Sequence, residues 1–341
     1  MTAKKLPFII SFMAAALLAV MSSCVKEEQL PDTTQGNFEA LWKIMDERYC
    51  FFAEKEKQLG VNWDEVYIKY RQRTTQNLPS EQLFEVLGDM LGELRDGHVN
   101  MSSSFDLARN WSWKEDYPAN LSDTLLRKYL GTDYRIASGM QYRILDDNIG
   151  YVRCASFSND IGDGNLDEIM YYLAPCNGMI IDLRSNSGGM MTTAEKLARR
   201  FTNEDRLVGY IRHKTGKGHN DFSEMYEQRL KATSRIRWQK PVVVLTNRGV
   251  YSAANEFTKY MKALGAIIVG DHTGGGAGMP FTSELPNGWL IRFSACPTFD
   301  INKQCVEEGI APHHNVSLTD EDTAKGKDTI IEYARRVIKT L

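Results

Sequence analysis

Apolar residues recur at helical spacing in the first third of the chain and in short continuous runs after it. From Phe38 to Leu94 they return every three or four positions, which predicts several helices. After Asn148 short apolar runs alternate with helical patterns, and a continuous run such as Val242 to Leu245 is typical of a strand buried on both faces. This second part therefore predicts an α/β fold with a mostly parallel sheet.

The pattern divides the chain into three parts beyond its N-terminal tail. Residues 37–99 are predicted as a small helical domain, 100–147 as an irregular connecting segment, and 148–341 as the α/β core. A hairpin is expected around Pro286-Asn287-Gly288, whose residues favour a turn. The other predicted strands lie at 150–157, 178–183, 207–211, 242–245 and 266–269, and the predicted helices lie at 166–173, 192–201, from Ser252 onward and at 320–338.

The N-terminus has the pattern of a targeting segment. Lys4 and Lys5 precede an apolar stretch, Leu6 to Val20, which is too short to span a bilayer comfortably. The following Met21-Ser22-Ser23-Cys24 resembles the lipobox of bacterial lipoproteins. That resemblance implies a signal peptide over 1–23, lipidation of Cys24, a tether over 24–36 and a protein anchored in the bacterial cell envelope. An ordinary secretory signal is the alternative, and the sequence does not indicate which membrane face is used.

Charge and cysteine spacing make several functions improbable. The formal net charge is −3 and no basic run occurs, so a nucleic-acid partner is not expected. The five cysteines after Cys24 show no CxxC spacing, and the histidines lack acidic or cysteine company. We therefore expect neither a metal site nor a cofactor; Cys296 with Cys305 is the first disulfide to test, since an oxidising envelope permits one.

Ser252 lies where a buried strand passes through a turn into a helix. Asn247, Arg248 and Gly249 are turn residues, and a helical pattern opens at Ser252. Backbone amides are unpaired at such a junction, and the helix dipole favours negative charge there. An attacking serine and its oxyanion need that setting, although a serine in this position is more often a plain helix N-cap.

Four segments of the chain carry residues suited to catalysis, in the order 94–99 (LRDGHV), 181–189 (IDLRSNSGG), 246–254 (TNRGVYSAA) and 307–312 (EEGIAP). Together they resemble the tail-specific serine peptidases, in the branch like the catalytic core of tricorn protease. The resemblance covers nearly all of the chain after the tether and implies a crotonase-like α/β core behind a helical N-terminal domain. Each segment is moderately specific alone, and the four together are a strong indication.

By this resemblance Ser252 attacks the substrate, His98 is its base and a glutamate, Glu307 or Glu308, orients the histidine. Histidine suits the role because its pKa is near neutrality, and a carboxylate fixes its tautomer. The resemblance also implies an oxyanion hole that is formed by the backbone amides of Gly188, Gly189 and Ala253. The implied activity is hydrolysis of peptides or proteins through an acyl-enzyme.

Two departures from the family pattern bear on mechanism. Other tail-specific peptidases use a lysine in a glycine-rich loop after the serine, but no lysine occurs between Lys262 and Lys303. The 100–147 segment is also too short for the complete PDZ domain that many of them carry. The competing hypothesis is a non-catalytic ligand- or peptide-binding lipoprotein, because retinoid-binding relatives use this fold without proteolysis.

Overall fold

The structure is a computed structural model of the chain that describes residues 30–341. The predicted signal peptide and Cys24 lie outside the described residues. Within residues 30–341, no helix has both the length and the apolar character that crossing a membrane requires.

The N-terminal part is helical, as predicted. Side chains of Thr33 and Asn62 accept hydrogen bonds from the first free amides of two of its helices, which stabilises their N-termini. Apolar side chains from all four helices form one core with residues of a distant strand, including Ile291 and Phe293. The helices are α1 (Thr34–Arg48), α2 (Phe52–Leu59), α3 (Trp63–Arg71) and α4 (Ser80–Gly92).

A seven-stranded sheet forms the α/β core, in the order β13-β10-β9-β6-β5-β4-β3. The strands from β13 to β5 are parallel, and β4 and β3 add antiparallel pairs at one edge. This confirms the predicted α/β class. The strands are β3 (Arg135–Ala137), β4 (Met140–Ile144), β5 (Ile149–Arg153), β6 (Gly178–Asp182), β9 (Val242–Thr246), β10 (Ile267–Gly270) and β13 (His314–Asn315).

Helices cover both faces of this sheet. Val242 and Val244 belong to one apolar cluster, and Val243 and Leu245 belong to another on the opposite face. Successive side chains of a strand point to opposite faces, so a strand covered on both sides must be apolar throughout. One face is covered by α7 (Asp163–Leu173), α8 (Met191–Ala198) and α9 (Ala253–Ala263), and the other by α6 (Asp123–Leu130) and α11 (Thr329–Thr340).

The single C-terminal helix predicted over 320–338 is wrong. The chain forms α10 (Asp320–Ala324), turns at Gly326 with a φ of 67°, and begins α11 after Asp328. The Asp328 carboxylate accepts hydrogen bonds from the amides of Ile330 and Ile331 and also pairs with buried Arg184 at 2.9 Å. This capping role explains why a new helix starts there.

A second, six-stranded sheet was not predicted. Its path is β2-β1-β12-β7-β8, and β11 also pairs with β12. The 100–147 segment, predicted to be irregular, supplies two of these strands and the short helix α5 (Ser112–Glu115). It also supplies α6 and the edge strands β3 and β4 of the first sheet, so the core sheet begins before residue 148. The strands are β1 (Asn100–Ser102), β2 (Leu107–Arg109), β7 (Arg206–Ile211), β8 (Tyr226–Leu230), β11 (Gly278–Glu284) and β12 (Leu290–Phe299), and the last two form the predicted hairpin.

Candidate active site

Ser252 lies at the sharp turn between β9 and α9. Its backbone has φ 57° and ψ −124°, in a region that non-glycine residues rarely occupy. Two interactions with Gly275 fix the conformation of the turn. The Ser252 amide donates a hydrogen bond to the Gly275 carbonyl at 2.8 Å, and Tyr251 forms an isolated β-bridge with the same glycine. Strained backbone at a strand-to-helix turn projects the hydroxyl away from the chain, as in other nucleophile turns.

His98 is carried by the loop between α4 and β1. The Asp96 carboxylate accepts a hydrogen bond from the His98 amide at 2.7 Å, which closes a local turn. The same carboxylate accepts hydrogen bonds from Tyr49 and Ser294, at 3.0 and 2.9 Å, so it ties the loop to the residue that follows α1 and to β12. The loop is therefore fixed from two sides of the molecule.

The two elements bring His98 and Ser252 together. The His98 Nε2 atom lies 3.0 Å from Ser252 Oγ, although 154 positions separate the residues in sequence. His98 is buried, with 3% of its surface exposed, and its ring packs against Tyr251 with centroids 4.9 Å apart. Tyr251 in turn stacks on Trp113 at 4.0 Å, so aromatic side chains limit the movement of the imidazole.

Burial lowers the pKa of His98 to about 4, and Asp96 opposes this shift while Arg292 and Arg109 add to it. At neutral pH the imidazole is thus uncharged, which is the form that accepts a proton. We expect kcat/KM to be retained as pH falls through 6.5 and lost only as it approaches about 4. A pH profile that uses an uncharged substrate would check this, and an acid limb centred near 6.5 would contradict it.

The two candidate glutamates lie in different environments. Glu307 is buried, and its Oε2 accepts a hydrogen bond from the Ala277 amide at 2.7 Å. Burial, with Asp96 adding to it, raises the pKa of Glu307 well above its usual range. The Glu308 side chain is 55% exposed and pairs with Lys55 at 3.1 Å.

No hydrogen bond joins either glutamate with His98 in residues 30–341, and His98 Nδ1 has no protein partner there. Of the two, Glu307 interacts electrostatically with Asp96, which lies in the His98 loop, and with Tyr251, which packs on the imidazole. The orienting role of a glutamate therefore stays a prediction.

The three predicted oxyanion amides are not equivalent. The Gly188 amide donates to Asn186 Oδ1 at 2.9 Å, so it is already occupied. The amides of Gly189 and Ala253 donate to no group within the described part of the chain. A Cβ at Gly188 would lie 2.8 Å from Ser252 Cβ and 2.9 Å from the Ala253 nitrogen, so the role of Gly188 here is to let the two segments approach.

The glycine-rich loop 274–278 supports the serine turn and supplies no base. A Cβ at Gly276 would meet the Tyr251 ring at 2.4 Å, and one at Gly275 would meet the Glu307 carbonyl oxygen. His98 is the one side chain of residues 30–341 that hydrogen-bonds with the Ser252 hydroxyl. Lys259, about two helix turns further on, pairs instead with Glu256 at 2.6 Å.

Sequence reasoning missed the supporting residues Asp96, Tyr251 and Trp113. An aspartate two positions before the histidine, with glycine between, is the pattern of a side-chain-closed turn, and that signal was available. Trp113 lies in the 100–147 segment, whose sequence has no clear hydrophobic pattern. Its contacts were therefore not predicted. Trp113 also lines, with Gly97, Tyr251 and Glu307, a cavity of about 190 Å³ beside the His98 loop.

The structure also bears on the metal and disulfide chemistry that the sequence raised. Among residues 30–341 no group of three or more histidine, cysteine or acidic side chains is placed to hold a metal ion. Cys296 and Cys305 are both free thiols, so the disulfide proposed for testing is not formed in this structure. The Cys296 sulfur instead lies 3.4 Å from His213 Nδ1.

Comparisons with known proteins bear on the family and the fold of the chain. The model for peptidase family S41 matches residues 148–316, and the model for the tricorn protease C1 domain matches 31–92. A solved candidate peptidase from Parabacteroides merdae ATCC 43184 is 50% identical, with a TM-score of 0.85, over 90% of this chain and 97% of that one. Mature CPAF, 14% identical with a TM-score of 0.70 over 90% of this chain and 96% of its own, shares the fold.

The carboxy-terminal processing protease CtpA of Bacillus subtilis (strain 168) is 24% identical over 210 residues. That match covers 58% of this chain and 43% of the relative, so this chain matches less than half of the length of that protein. Together the matches define a serine-type peptidase class. The chain belongs to peptidase family S41, as the four sequence segments had indicated.

Proposed function

We propose that this protein is a serine peptidase that hydrolyses peptide bonds through an acyl-enzyme. The observation that carries the proposal is the 3.0 Å contact between His98 Nε2 and the Ser252 hydroxyl at a strained strand-to-helix turn. A neutral imidazole at this distance is positioned to take the hydroxyl proton. Its substrates are peptides or proteins, and the reaction needs no cofactor.

In the first half of the reaction, Ser252 Oγ attacks the scissile carbonyl carbon while His98 Nε2 accepts the hydroxyl proton. The carbonyl oxygen becomes an oxyanion, and the unoccupied amides of Gly189 and Ala253 are proposed to donate hydrogen bonds to it. The dipole of α9 adds favourable potential at the same end. Protonated His98 then donates its proton to the leaving amine, and the C–N bond breaks to give the Ser252 ester.

In the second half, water attacks the ester carbonyl and gives its proton to His98. The oxyanion forms again at the same amides, and the proton returns to Ser252 Oγ as the ester bond breaks. The charge on His98 is transient in both halves. Asp96, whose charge raises the pKa of His98, would stabilise that charge without touching the substrate, and we assign the orienting glutamate of the family pattern as Glu307.

A non-catalytic binding protein is the competing function. It would need no hydroxyl aligned with a base, and it would gain nothing from the strain at Ser252. The hydrogen-bonded pair of Ser252 and His98 therefore favours a catalytic function over binding alone.

The direct test of the function is cleavage of a mixed peptide library by the mature protein, with products identified by mass spectrometry. We expect discrete cleavage products that are absent when the Ser252→Ala protein is used. Peptides that bind but remain intact with the wild-type protein would support the binding function instead.

We also propose that the mature protein is anchored in the cell envelope through lipid on Cys24. The proposal rests on the lysine pair, the apolar stretch and the lipobox-like Met21-Ser22-Ser23-Cys24. Cys24→Ser is expected to move the protein out of the membrane fraction or to leave it unprocessed. The measurement is fractionation with intact-mass analysis of the N-terminus, and a wild-type protein without lipid in the soluble fraction would refute the anchor.

A further inference from the structure

A cavity of about 330 Å³ lies on the face of the seven-stranded sheet that α6 and α11 cover. Its walls come from the end of α6, the turn between β4 and β5, the segment between α10 and α11, and α11 itself. The helix that begins after Ser252 covers the opposite face of the sheet. The cavity is therefore separate from the candidate active site.

The side chains that line this cavity are mostly charged, and most of the charges are positive. Leu145 is the one aliphatic side chain among them, so the cavity does not suit an apolar ligand. A recess lined mainly by charges of one sign concentrates ions of the opposite sign. The charged lining residues are Lys128, Arg143, Lys325, Lys327 and Arg335, with Asp146 and Glu332 as the two carboxylates.

Three of the five cations already have ion-pair partners. The side chains of Arg143 and Arg335 are only 18% and 23% exposed, so these pairs hold their guanidinium groups in place as part of the wall. The pairs are Arg143 with Asp133, Lys325 with Glu321, and Arg335 with both Asp147 and Glu332.

Lys128 and Lys327 are the two cations of the cavity without a partner. Neither ammonium group has a hydrogen-bond acceptor or an ion pair within residues 30–341. The Glu332 carboxylate is already engaged by Tyr129 and Arg335, at 2.7 Å each, which leaves Asp146 as the one lining carboxylate without a partner there. The unpaired charges of the wall are thus two ammonium groups and one carboxylate.

The backbone brings the two unpaired lysines to neighbouring points of the wall. Gly326 has a φ of 67°, and a Cβ at that position would lie 2.4 Å from Lys128 Nζ. The Lys128 ammonium group therefore lies against the residue that immediately precedes Lys327, and a side chain at position 326 would push it away. Two unpaired ammonium groups at one cavity repel each other, and an anion bound between them would replace that repulsion by attraction.

We propose that this cavity binds a phosphate group, which Lys128 and Lys327 contact. A phosphate ester carries close to two negative charges at neutral pH and has three acceptor oxygens, so one group can satisfy both ammonium groups. Lysine is a common phosphate ligand in proteins, where it acts as a point charge. The phosphate belongs either to a small soluble compound, such as pyrophosphate or a phosphate monoester, or to the headgroup of an anionic lipid. Binding involves neither Ser252 nor His98, so the site goes beyond the peptidase function.

The test is calorimetric titration of the mature protein with pyrophosphate at low, constant ionic strength. We expect a protein with both Lys128→Gln and Lys327→Gln to bind more weakly than the wild type by about tenfold or more, because it lacks both charge-assisted contacts. Asp146→Asn should bind a few-fold more tightly, since it removes the unpaired negative charge from the wall. Thermal unfolding of each variant checks that the fold is intact.

A second double substitution controls for the loss of two positive charges. Lys57 and Lys231 are exposed, lie on α2 and directly after β8, and do not line the cavity. A protein with Lys57→Gln and Lys231→Gln should therefore keep the wild-type dissociation constant to within about twofold. An equal loss of affinity in both double variants would indicate non-specific attraction and would overturn the site.

Vesicles distinguish the two sources of the phosphate. If phosphatidylglycerol vesicles displace bound pyrophosphate and phosphatidylcholine vesicles do not, the ligand is an anionic lipid headgroup; if neither displaces it, the ligand is a soluble phosphate compound. Any lipid on Cys24 would insert into both kinds of vesicle, so the comparison does not depend on the anchor.

Two results would refute the phosphate site. They are the absence of pyrophosphate binding to the wild-type protein, and an unchanged dissociation constant in the protein with Lys128→Gln and Lys327→Gln. A mature protein that cleaves no peptide would contradict the peptidase function alone, because this binding measurement does not involve hydrolysis.

Discussion

Replacement of Ser252 by alanine is expected to lower kcat/KM for peptide hydrolysis by roughly 10⁵-fold or more, the scale of losses for serine nucleophiles. No other side chain of residues 30–341 accepts or donates a hydrogen bond with His98 Nε2, so no second hydroxyl can take over. The measurement is steady-state hydrolysis of a fluorogenic peptide identified in the library. Residual activity above a few per cent of wild type would contradict the assignment.

The fold of the Ser252→Ala protein should be preserved. Alanine and serine face the same backbone constraint at φ 57°, and the change removes one hydrogen bond, which contributes about 1 kcal/mol to the free energy of unfolding. Ser138→Ala is a matched control, because Ser138 also has a positive φ, 46°, and bonds with Asn165 away from the site. Thermal unfolding of both variants distinguishes loss of chemistry from loss of structure.

Replacement of His98 by alanine is expected to lower kcat/KM by roughly 10⁴-fold or more, because the serine then has no base. The buried ring also fills space against Tyr251, so some loss of stability is expected as well. Adding Ser252→Ala to His98→Ala should cost little further activity, since residues that act as one unit are not additive. Hydrolysis rates of the three proteins test this, and a fully active His98→Ala protein would require another base.

Substitutions of the two glutamates are compared with His98→Ala by their effects on kcat. Glu307→Gln is expected to lower kcat by a smaller factor than His98→Ala, because Glu307 makes no hydrogen bond with the imidazole and its side chain instead accepts one from the Ala277 amide. Glu308→Gln removes only an ion pair of a half-exposed carboxylate and should have little effect on kcat. The reverse order would assign the orienting role to Glu308.

The parts of the fold that the sequence predicted are those with a clear local pattern of apolar residues. Val242 to Leu245 is apolar at every position because helices cover both faces of β9, and that pattern is unambiguous. The second sheet was not predicted because β1 and β2 have three residues each, too few to show an alternation of apolar and polar residues. Pairing with β12, almost 200 positions away, stabilises them, and no local pattern encodes such a contact.

The candidate site likewise has parts that the sequence predicted and parts that it did not. The turn before Ser252 and the His98 segment were predicted from local residues and from family resemblance. The occupation of the Gly188 amide by Asn186 and the anchoring of His98 by Asp96 depend on side-chain geometry, which spacing alone does not give. The alignment of β2 with β12 depends on strand register, since Arg109 and Arg292 lie 183 positions apart (292 less 109) and each is opposite Asn100 of β1.

The central claim is that Ser252 is a nucleophile activated by His98. It is tested most directly by reacting the mature protein with a fluorophosphonate probe and mapping the adduct by peptide mass spectrometry. We predict one adduct, on Ser252, that is absent in Ser252→Ala and forms far more slowly in His98→Ala. An adduct on a different serine, or equal labelling of the wild-type and His98→Ala proteins, would contradict the account.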